Sequence, residues 1–397
     1  MTNGTSPNGA IGVYVHFPWC LKKCPYCDFL SVASERRDIP HRAYADCVIA
    51  ELERRAPPQA HRQLRSVFFG GGTPSLWQPA ELGRVLAAIL GAFSSGSVHA
   101  EVTVECNPTS LDPERVEQWA ALGANRLSIG VQSLDAGQLT FLGRLHDQEQ
   151  GLQAVRQALD SHLRVSADLI FGLPGQPPAQ ARAEALRVAE LGVTHLSAYA
   201  LTIEPNTQFG ALARQGRLPL ATEESVAESF LALDEALTGV GFDHYEISNY
   251  ARSGHVAEHN LGYWTGRDYL GLGAGAWGTV ARTRYRNTPS VPRYLESRDR
   301  WRLEDLERTG PDSLLAAIEP IDAQTALREK ILLGLRLKQG LDIEAVASEL
   351  EVEPWPRSRE LALARLLERG RIARDGTRWF IPPSQWLLSD ATIAELL

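Results

Sequence analysis

Three of the five cysteines of this chain fall within eight residues, at Cys20, Cys24 and Cys27. They supply three thiolates, one fewer than the four cysteines that usually hold a [4Fe–4S] cluster. A cluster that lacks one protein ligand leaves an iron open to another molecule, as a catalytic zinc site keeps an open position. A structural zinc site is the alternative, but it needs a second pair of cysteine or histidine ligands, and the sequence offers none nearby. The spacing therefore predicts an open iron–sulfur cluster.

The spacing C-x3-C-x2-C, directly after the apolar run Val13–Phe17, resembles the signature of radical S-adenosylmethionine (SAM) enzymes. A second motif, Gly70–Pro74, follows the next strand-like run and resembles the glycine motif with which those enzymes hold the amino group of SAM. Glycines let the backbone approach a ligand closely. Alone, this motif would read as a tight turn.

Lys22 and Lys23, two of only four lysines in the chain, lie between the cluster cysteines. Positive charge is expected to lower the pKa of the neighbouring thiols and to attract an acidic electron donor. A solvated loop is the alternative, since lysine is common on surfaces.

Six β-type runs alternate with helical stretches in the first half of the chain. The runs are Val13–Phe17, Ser66–Phe69, Glu101–Glu105, Arg126–Val131, Arg164–Phe171 and His195–Leu201, and the helices between them are Tyr44–Arg55, Pro79–Phe93, Pro113–Leu122, Glu149–Leu159 and Gln180–Leu191. This alternation predicts an α/β fold with a parallel sheet and outer helices. Six units rather than eight predict a partial (β/α)6 radical SAM barrel, with its active residues at the carboxyl ends of the strands.

Polar residues stand at or near the ends of successive predicted strands. Glu105 ends the third strand, Gln132 closes the fourth, Arg144 is placed on the following helix, and Asp168 lies in the fifth. A planar guanidinium suits the SAM carboxylate because it pairs with both oxygens. Each residue alone fits a structural role equally well, whereas four at neighbouring strand ends favour a binding site.

The pattern changes after Leu201, and three segments are expected: the barrel at 1–205, a barrel extension at 206–322 and a winged-helix-like module at 323–397. Within the extension, Glu223–Thr238 is predicted to be a helix and Arg282–Pro292 an irregular surface chain. The module is predicted from three helices and a hairpin, Thr325–Lys338, Asp342–Leu350, Arg357–Arg369 and Arg371–Ile381.

Charge and composition narrow the possible partners. The net charge is −8, and the 323–397 module carries 11 basic and 11 acidic residues, so nucleic-acid binding is not expected. The sequence shows no apolar run of membrane-spanning length and no signal peptide at its polar start. Cys47 and Cys106 are expected to be buried rather than ligands, and the five cysteines suggest no disulfide framework. A cytoplasmic protein is expected.

The chain resembles the HemW-type radical SAM haem chaperones, a family related to the oxygen-independent coproporphyrinogen III dehydrogenase HemN. The resemblance covers nearly the whole chain and rests on Val13–Pro18, Cys20–Phe29, Gly70–Ser75, Asp168–Pro174 and Leu387–Asp390. It implies Cys20, Cys24 and Cys27 as cluster ligands. It also implies a set of SAM contacts, of which the last is the weakest: Tyr14, Tyr26, Gly71, Gly72, Thr73, Glu105, Gln132, Arg144, Asp168 and Thr202.

Two features separate this chain from HemN-type dehydrogenases. Those enzymes carry a fourth cysteine where this chain has Phe29, and they have a longer arm before the cluster, where this chain has 19 residues. The segment His259–Trp264 matches the H-N-x-x-Y-W motif of HemW proteins. The resemblance implies that His259 ligates haem iron, and a structural histidine in an aromatic corner is the alternative. One departure is Trp277, where the family usually has histidine.

These features predict a protein that binds a [4Fe–4S] cluster, SAM and haem, and that delivers haem to an acceptor protein still to be identified. A low-potential electron donor such as flavodoxin or ferredoxin is the expected partner of the cluster. SAM cleavage is compatible with this reading, whereas coproporphyrinogen oxidation is not expected. The alternatives are the dehydrogenase and a HemN-like radical SAM methyltransferase. The H-N-x-x-Y-W motif favours the chaperone over the methyltransferase. The segment Gly271–Gly278 also fits a loose dinucleotide pattern, but no long helix follows it.

Overall fold

The computed structural model describes residues 9–93, 99–310 and 312–397, so most of the polar start of the chain lies outside the described residues. The strands are β1 Ala10–Phe17, β2 Trp19–Cys20, β3 Val32–Ala33, β4 Gln63–Gly71, β5 Glu101–Cys106, β6 Arg126–Gln132, β7 Arg164–Phe171, β8 His195–Ala200, β9 Asp243–Glu246, β10 Asn249–Ala251, β11 Tyr269–Leu272, β12 Trp277–Val280, β13 Thr283–Asn287, β14 Leu315–Pro320, β15 Ala373–Asp375 and β16 Arg378–Phe380.

The helices alternate with these strands in the first half of the chain and dominate its last part. They are α1 His41–Arg55, α2 Pro79–Ala92, α3 Pro113–Leu122, α4 Ala136–Phe141, α5 Gln148–Asp160, α6 Pro178–Ala189, α7 Gln208–Arg214, α8 Glu223–Gly239, α9 Glu258–Trp264, α10 Val291–Leu295, α11 Ala323–Gly334, α12 Ile343–Glu349, α13 Arg357–Glu368 and α14 Ser389–Ala394. None of the helices in the described ranges is both long and apolar enough to cross a membrane.

One large sheet organises the molecule, in the order β14-β13-β12-β11-β1-β4-β5-β6-β7-β8-β10-β9. The six predicted barrel strands are confirmed as β1, β4, β5, β6, β7 and β8, which pair in parallel in chain order. A seventh parallel strand, β11, joins the free edge of β1 and comes from much later in the sequence. Antiparallel strands extend both edges, so the partial barrel continues into a wider curved sheet.

The two faces of the sheet differ in chemistry because side chains alternate along each strand. On β1, Val13 and Val15 are fully buried in the main hydrophobic core, which includes residues of the outer helices. The residues between them, Tyr14 and His16, face the interior of the barrel and hydrogen bond to each other, Oη to Nδ1, at 2.9 Å. The outer face therefore supplies the core, and the inner face supplies polar groups.

The prediction that Arg282–Pro292 is irregular is wrong. Thr283–Asn287 forms β13, paired on both sides with β12 and β14, and Val291–Leu295 forms α10, which Ser290 caps. The arginine and proline residues of this segment made its strand and helix look like irregular surface chain. Tyr285 is buried within the sheet and its hydroxyl accepts from the backbone N–H of Gly271 at 2.9 Å.

The last part of the chain forms a module with its own hydrophobic core, to which Leu327, Ile343 and Trp379 contribute. The expected three helices and hairpin are present as α11, α12, α13 and β15–β16. However, α11 ends at Gly334 and does not continue to Lys338. The chain turns there because the N–H of Lys338 donates to the carbonyl of Tyr245, which ties it to β9.

Candidate cluster and cofactor site

The cluster loop lies at the carboxyl end of β1. After Phe17 the chain forms the short strand β2, and the loop that holds Cys24 and Cys27 returns through β3, which pairs with β2. Cys20, Cys24 and Cys27 are free and partly exposed. No group of three or more Cys, His, Asp or Glu side chains in the described ranges is arranged to hold a single metal ion. In a cluster, each cysteine binds a different iron, so the three thiols need not converge on one point.

Burial and the lysine charges act in opposite directions on these thiols. Burial raises the pKa of Cys20, and it raises the pKa of Cys27 to about 11, although Lys23 acts to lower both. The lowering of the thiol pKa expected from the lysines is therefore outweighed, because desolvation destabilises the thiolate more than a charge on an exposed loop stabilises it. Bound iron would supply the missing positive charge.

The glycine loop packs directly on the start of the cluster loop. The N–H of Gly72 donates to the Phe17 carbonyl at 2.7 Å, and the N–H of Thr73 donates to the Trp19 carbonyl at 2.8 Å. A Cβ at Gly72 would lie 2.7 Å from the Trp19 carbonyl oxygen, so only glycine fits there. The Thr73 hydroxyl donates to Cys20 Sγ at 3.4 Å. The two predicted motifs thus form one continuous surface.

Arg144 reaches this surface from the connection between α4 and α5, which follows β6. Its Nη1 donates to Cys24 Sγ at 3.5 Å and its Nη2 to the carbonyl of Gly130 at 3.0 Å. The Nε is buried without a hydrogen-bond partner. Arg144 lies between α4 and α5, so its placement on a helix is corrected. A cleft of about 300 Å³ opens beside it, lined in part by Cys24, Thr73 and Asn107.

Two half-buried carboxyl groups lie on the barrel strands β5 and β7. Glu105 Oε2 accepts from the N–H of Gly71 at 3.1 Å, and Asp168 accepts from the Ser128 hydroxyl at 3.2 Å. Burial, reinforced by the charge of Asp168, raises the pKa of Glu105 to about 8. Burial also raises the pKa of Asp168. Both carboxyls would be ionised more readily beside a cation, and SAM carries a sulfonium and an ammonium group.

The remaining expected SAM contacts lie around the carboxyl edge of the barrel and differ in how well they suit a binding role. Gln132 closes β6 in a left-handed conformation, with φ of 70°. Tyr14 is half-buried beside Gly70, and desolvation raises its pKa. Tyr26 packs with Leu142, Ile170 and Leu173. Thr202 follows β8, is exposed, and donates its hydroxyl to the carbonyl of Ala200. Thr202 therefore makes the weakest case of the set.

His259 lies at the opposite end of the barrel. It is 3% exposed. Its Nδ1 is 2.9 Å from the Ser66 hydroxyl, its Nε2 is 2.9 Å from the Tyr263 hydroxyl, and its ring stacks on Phe68. Burial lowers its pKa to about 3. Both ring nitrogens therefore have hydrogen-bond partners, which fits the structural alternative, and haem ligation by His259 stays a prediction.

The helix that carries His259 closes the amino end of the barrel. The carboxylate of Glu101 accepts from the N–H groups of Glu258 and His259, both at 3.1 Å, and from Arg164 at 3.1 Å. Acceptors at a helix start satisfy N–H groups that have no partner within the helix. The H-N-x-x-Y-W segment thus forms a floor beneath the lumen.

Sequence reasoning missed several residues that shape the lumen. Ser128 holds Asp168, as described above. Arg126 is 2% exposed, and its charge acts to lower the pKa of both Asp168 and Glu105. The alternation of Arg126 and Ser128 with the apolar residues Leu127 and Ile129 was the available signal, since every second side chain of a barrel strand faces inward.

The comparisons with known proteins agree with this architecture. The model of the Radical SAM superfamily matches residues 14–187, and that of the HemN C-terminal domain matches residues 321–388. The protein named "Heme chaperone HemW" from Escherichia coli (strain K12) is 36% identical over 298 residues, which cover 72% of this chain and 77% of the relative. Its namesake in Mycobacterium tuberculosis (strain H37Rv) is 32% identical over 400 residues, 98% of this chain and 96% of the relative. The chain belongs to the HemW family.

A solved structure supports the fold. Coproporphyrinogen III oxidase (HemN) from Escherichia coli, described as a radical SAM enzyme, superposes with a TM-score of 0.81 at 22% identity over 99% of this chain and 91% of that chain. At this identity the likeness shows the fold. The partial radical SAM barrel with a C-terminal module is thereby confirmed.

Two positions singled out in the sequence, Phe29 and Trp277, lie at the carboxyl end of the barrel strands. Phe29, at the position of the fourth cysteine of the dehydrogenases, is 60% exposed. Cys47 and Cys106 are buried as expected, 1% and 6% exposed. Trp277, where the family usually has histidine, begins β12 at the same end of the sheet and is 41% exposed.

Proposed function

We propose that this HemW-family protein holds a [4Fe–4S] cluster, binds SAM, and carries haem to an acceptor protein. The observation that carries the proposal is the meeting of the cluster loop, the glycine loop and Arg144 at the carboxyl ends of adjacent strands. The family supports haem as the cargo, since curated relatives are named haem chaperones.

Cys20, Cys24 and Cys27 would hold the cluster. The donor set fits, because three thiols leave one iron for a ligand that is not part of the protein. When bound, the cluster supplies one-electron chemistry at that open iron.

The protein residues would orient SAM around this iron. The unpartnered Nε of Arg144 marks a guanidinium with donor capacity left for a carboxylate. The backbone of the glycine loop would face the amino group, and Glu105 and Asp168 would accept from hydroxyl or ammonium groups. Gln132 and Tyr26 would border the same cleft.

A low-potential electron donor such as flavodoxin or ferredoxin would dock near the cluster loop. Lys22 and Lys23 are both exposed there, on a chain whose net charge is −8. A local positive patch on an acidic protein favours an acidic partner, whose association would weaken with added salt.

The experiment that tests the proposal is haem transfer. Anaerobically reconstituted protein is loaded with one equivalent of haem and mixed with apomyoglobin, a haem-free acceptor whose absorbance changes when haem arrives. We expect stoichiometric loading followed by complete transfer. A parallel incubation with coproporphyrinogen III, SAM and reductant should yield no protoporphyrinogen IX. Failure to bind haem, or stoichiometric protoporphyrinogen formation, would contradict the proposal and favour the methyltransferase or the dehydrogenase, respectively.

A further inference from the structure

We propose that haem binds at the mouth of the barrel by stacking on Trp277, with Arg286 pairing with a propionate, and without a protein ligand to the iron. This inference rests on the proposed haem-carrying function and specifies its site. The stacking surface is defined here as Trp277 and Arg286 on neighbouring strands, with Phe29 and Leu30 of the loop that follows the cluster.

The exposure of Trp277 is unusual within this protein. Of its nine tryptophans, all of them among the described residues, only Trp277 is exposed, at 41%. Tryptophan is normally among the more buried residues. A large exposed aromatic ring offers a flat ligand substantial apolar area.

Arg286 stands directly opposite Trp277 in the β12–β13 ladder. Its guanidinium lies 5.4 Å from the centroid of the indole ring. Among the described residues, no carboxylate forms a salt bridge with Arg286, whereas its neighbour Arg284 pairs with both Glu319 and Glu329. The Nε of Arg286 is buried without a hydrogen-bond partner. Because buried donors are rarely left unpaired, this cation has capacity for an anionic ligand.

The surroundings place this pair at the barrel mouth beside the cluster loop. A Cβ on Gly275, two residues before Trp277, would lie 2.5 Å from Leu30 Cδ2, so the two loops are in contact. The carbonyl of Leu30 lies 2.8 Å from His16 Nε2. Next to Leu30 is Phe29, 60% exposed. Lys23 donates to the Phe29 carbonyl at 3.3 Å and adds a second cation at this rim.

An exposed aromatic ring, adjoining apolar side chains and two cations match a planar apolar molecule with two carboxylates. Haem has this chemistry. His259, at the other end of the barrel, has both nitrogens engaged, and Trp277 itself cannot ligate iron. Binding by ring stacking and propionate pairing does not require the metal, which distinguishes it from ligation.

The test compares haem with iron-free protoporphyrin IX on the holoprotein, by equilibrium dialysis in the dark without oxygen. We expect the two dissociation constants to agree within about threefold, because the metal contributes no protein bond. Trp277→Ala should weaken both about tenfold, and Arg286→Gln should do the same. Leu303→Ala, at an exposed leucine, and Arg284→Gln, at a paired arginine of the same strand, are the controls and should change neither constant.

The outcomes distinguish failure of the stacking site from failure of the proposed haem-carrying function. If haem binds at least tenfold more tightly than iron-free porphyrin, or if Trp277→Ala binds haem as the parent does, the stacking site is overturned while haem carriage stands. The comparison of the two porphyrins needs no variant, so misfolding of a mutant cannot mask the result. If neither porphyrin binds, both the site and the proposed function are overturned.

Discussion

The two ends of the barrel use polar side chains in different ways. At the amino end, Glu101 accepts hydrogen bonds from α9 and Arg164, and both nitrogens of His259 have partners. At the carboxyl end, the guanidinium of Arg144 donates to Cys24 Sγ, and burial raises the pKa of Glu105 to about 8. Hydrogen bonds and ion pairs among buried groups stabilise a fold, whereas a carboxyl with a strongly raised pKa close to a cysteine loop is typical of a binding site.

The comparison teaches that a family motif need not lie at the reactive end of a molecule. The H-N-x-x-Y-W segment reads as a ligand sequence, yet α9 is held as a floor beneath the lumen. The residues available for chemistry stand on the opposite rim.

Removing the three cluster thiols together should abolish iron binding. Reconstituted protein should contain about four irons per chain, and the triple Cys20→Ala, Cys24→Ala, Cys27→Ala variant almost none. Iron and sulfide analysis after anaerobic gel filtration is the measurement. Cys106→Ala, at a buried cysteine on a barrel strand, is the matched control and should keep its cluster. Full iron loading of the triple variant would show that the cluster is not bound by this loop.

Removing the floor carboxylate should destabilise the fold strongly. Glu101→Ala leaves the half-buried Arg164 and two N–H groups of α9 without their acceptor, and each buried donor left unsatisfied costs about 1–3 kcal/mol. Urea unfolding gives the free energy directly. Glu149→Ala removes an exposed partner of Arg156 and should cost no more than about 1 kcal/mol. Equal effects of the two substitutions would show that α9 is not held by Glu101.

Arg144→Ala should weaken SAM binding without unfolding the protein. A charged, two-pronged contact to a carboxylate contributes about 1.5–3 kcal/mol, which corresponds to roughly tenfold to hundredfold in affinity. Arg144→Lys should recover only part of this, because an ammonium cannot present the planar fork. Isothermal titration of anaerobic protein with SAM is the measurement, and an unchanged affinity in the alanine variant would place the carboxylate elsewhere.

SAM affinity should rise with pH over the slightly acidic to neutral range. The pKa of Glu105 is raised to about 8 by burial, so the carboxyl of the free protein is largely protonated at lower pH and must lose its proton to bind a cation. That cost shrinks as pH approaches 8, and affinity should increase about twentyfold between about pH 6 and 7.5. Glu105→Gln should flatten the profile. An affinity that falls as pH rises would exclude an ionised Glu105 from the site.

The barrel strands and the cluster motif could be predicted from local sequence patterns. Alternating strand and helix patterns are local, so the six parallel strands and their order follow from short stretches of chain. The three cysteines lie within one loop, and their spacing alone fixes the number of thiols on offer. The glycine loop was also recognisable from its residue types, because the backbone approaches Phe17 and Trp19 too closely for a side chain at Gly72.

Contacts between residues that are distant in sequence became visible in the folded chain alone. The hydrogen bond between His259 and Ser66 joins residues 193 positions apart. The strand at Thr283–Asn287 forms because β12 and β14 flank it, although its own composition is that of a surface loop. Trp277 and Arg286 meet through the register of a β-ladder. Such pairings depend on how distant segments are brought together, and no local pattern records that information.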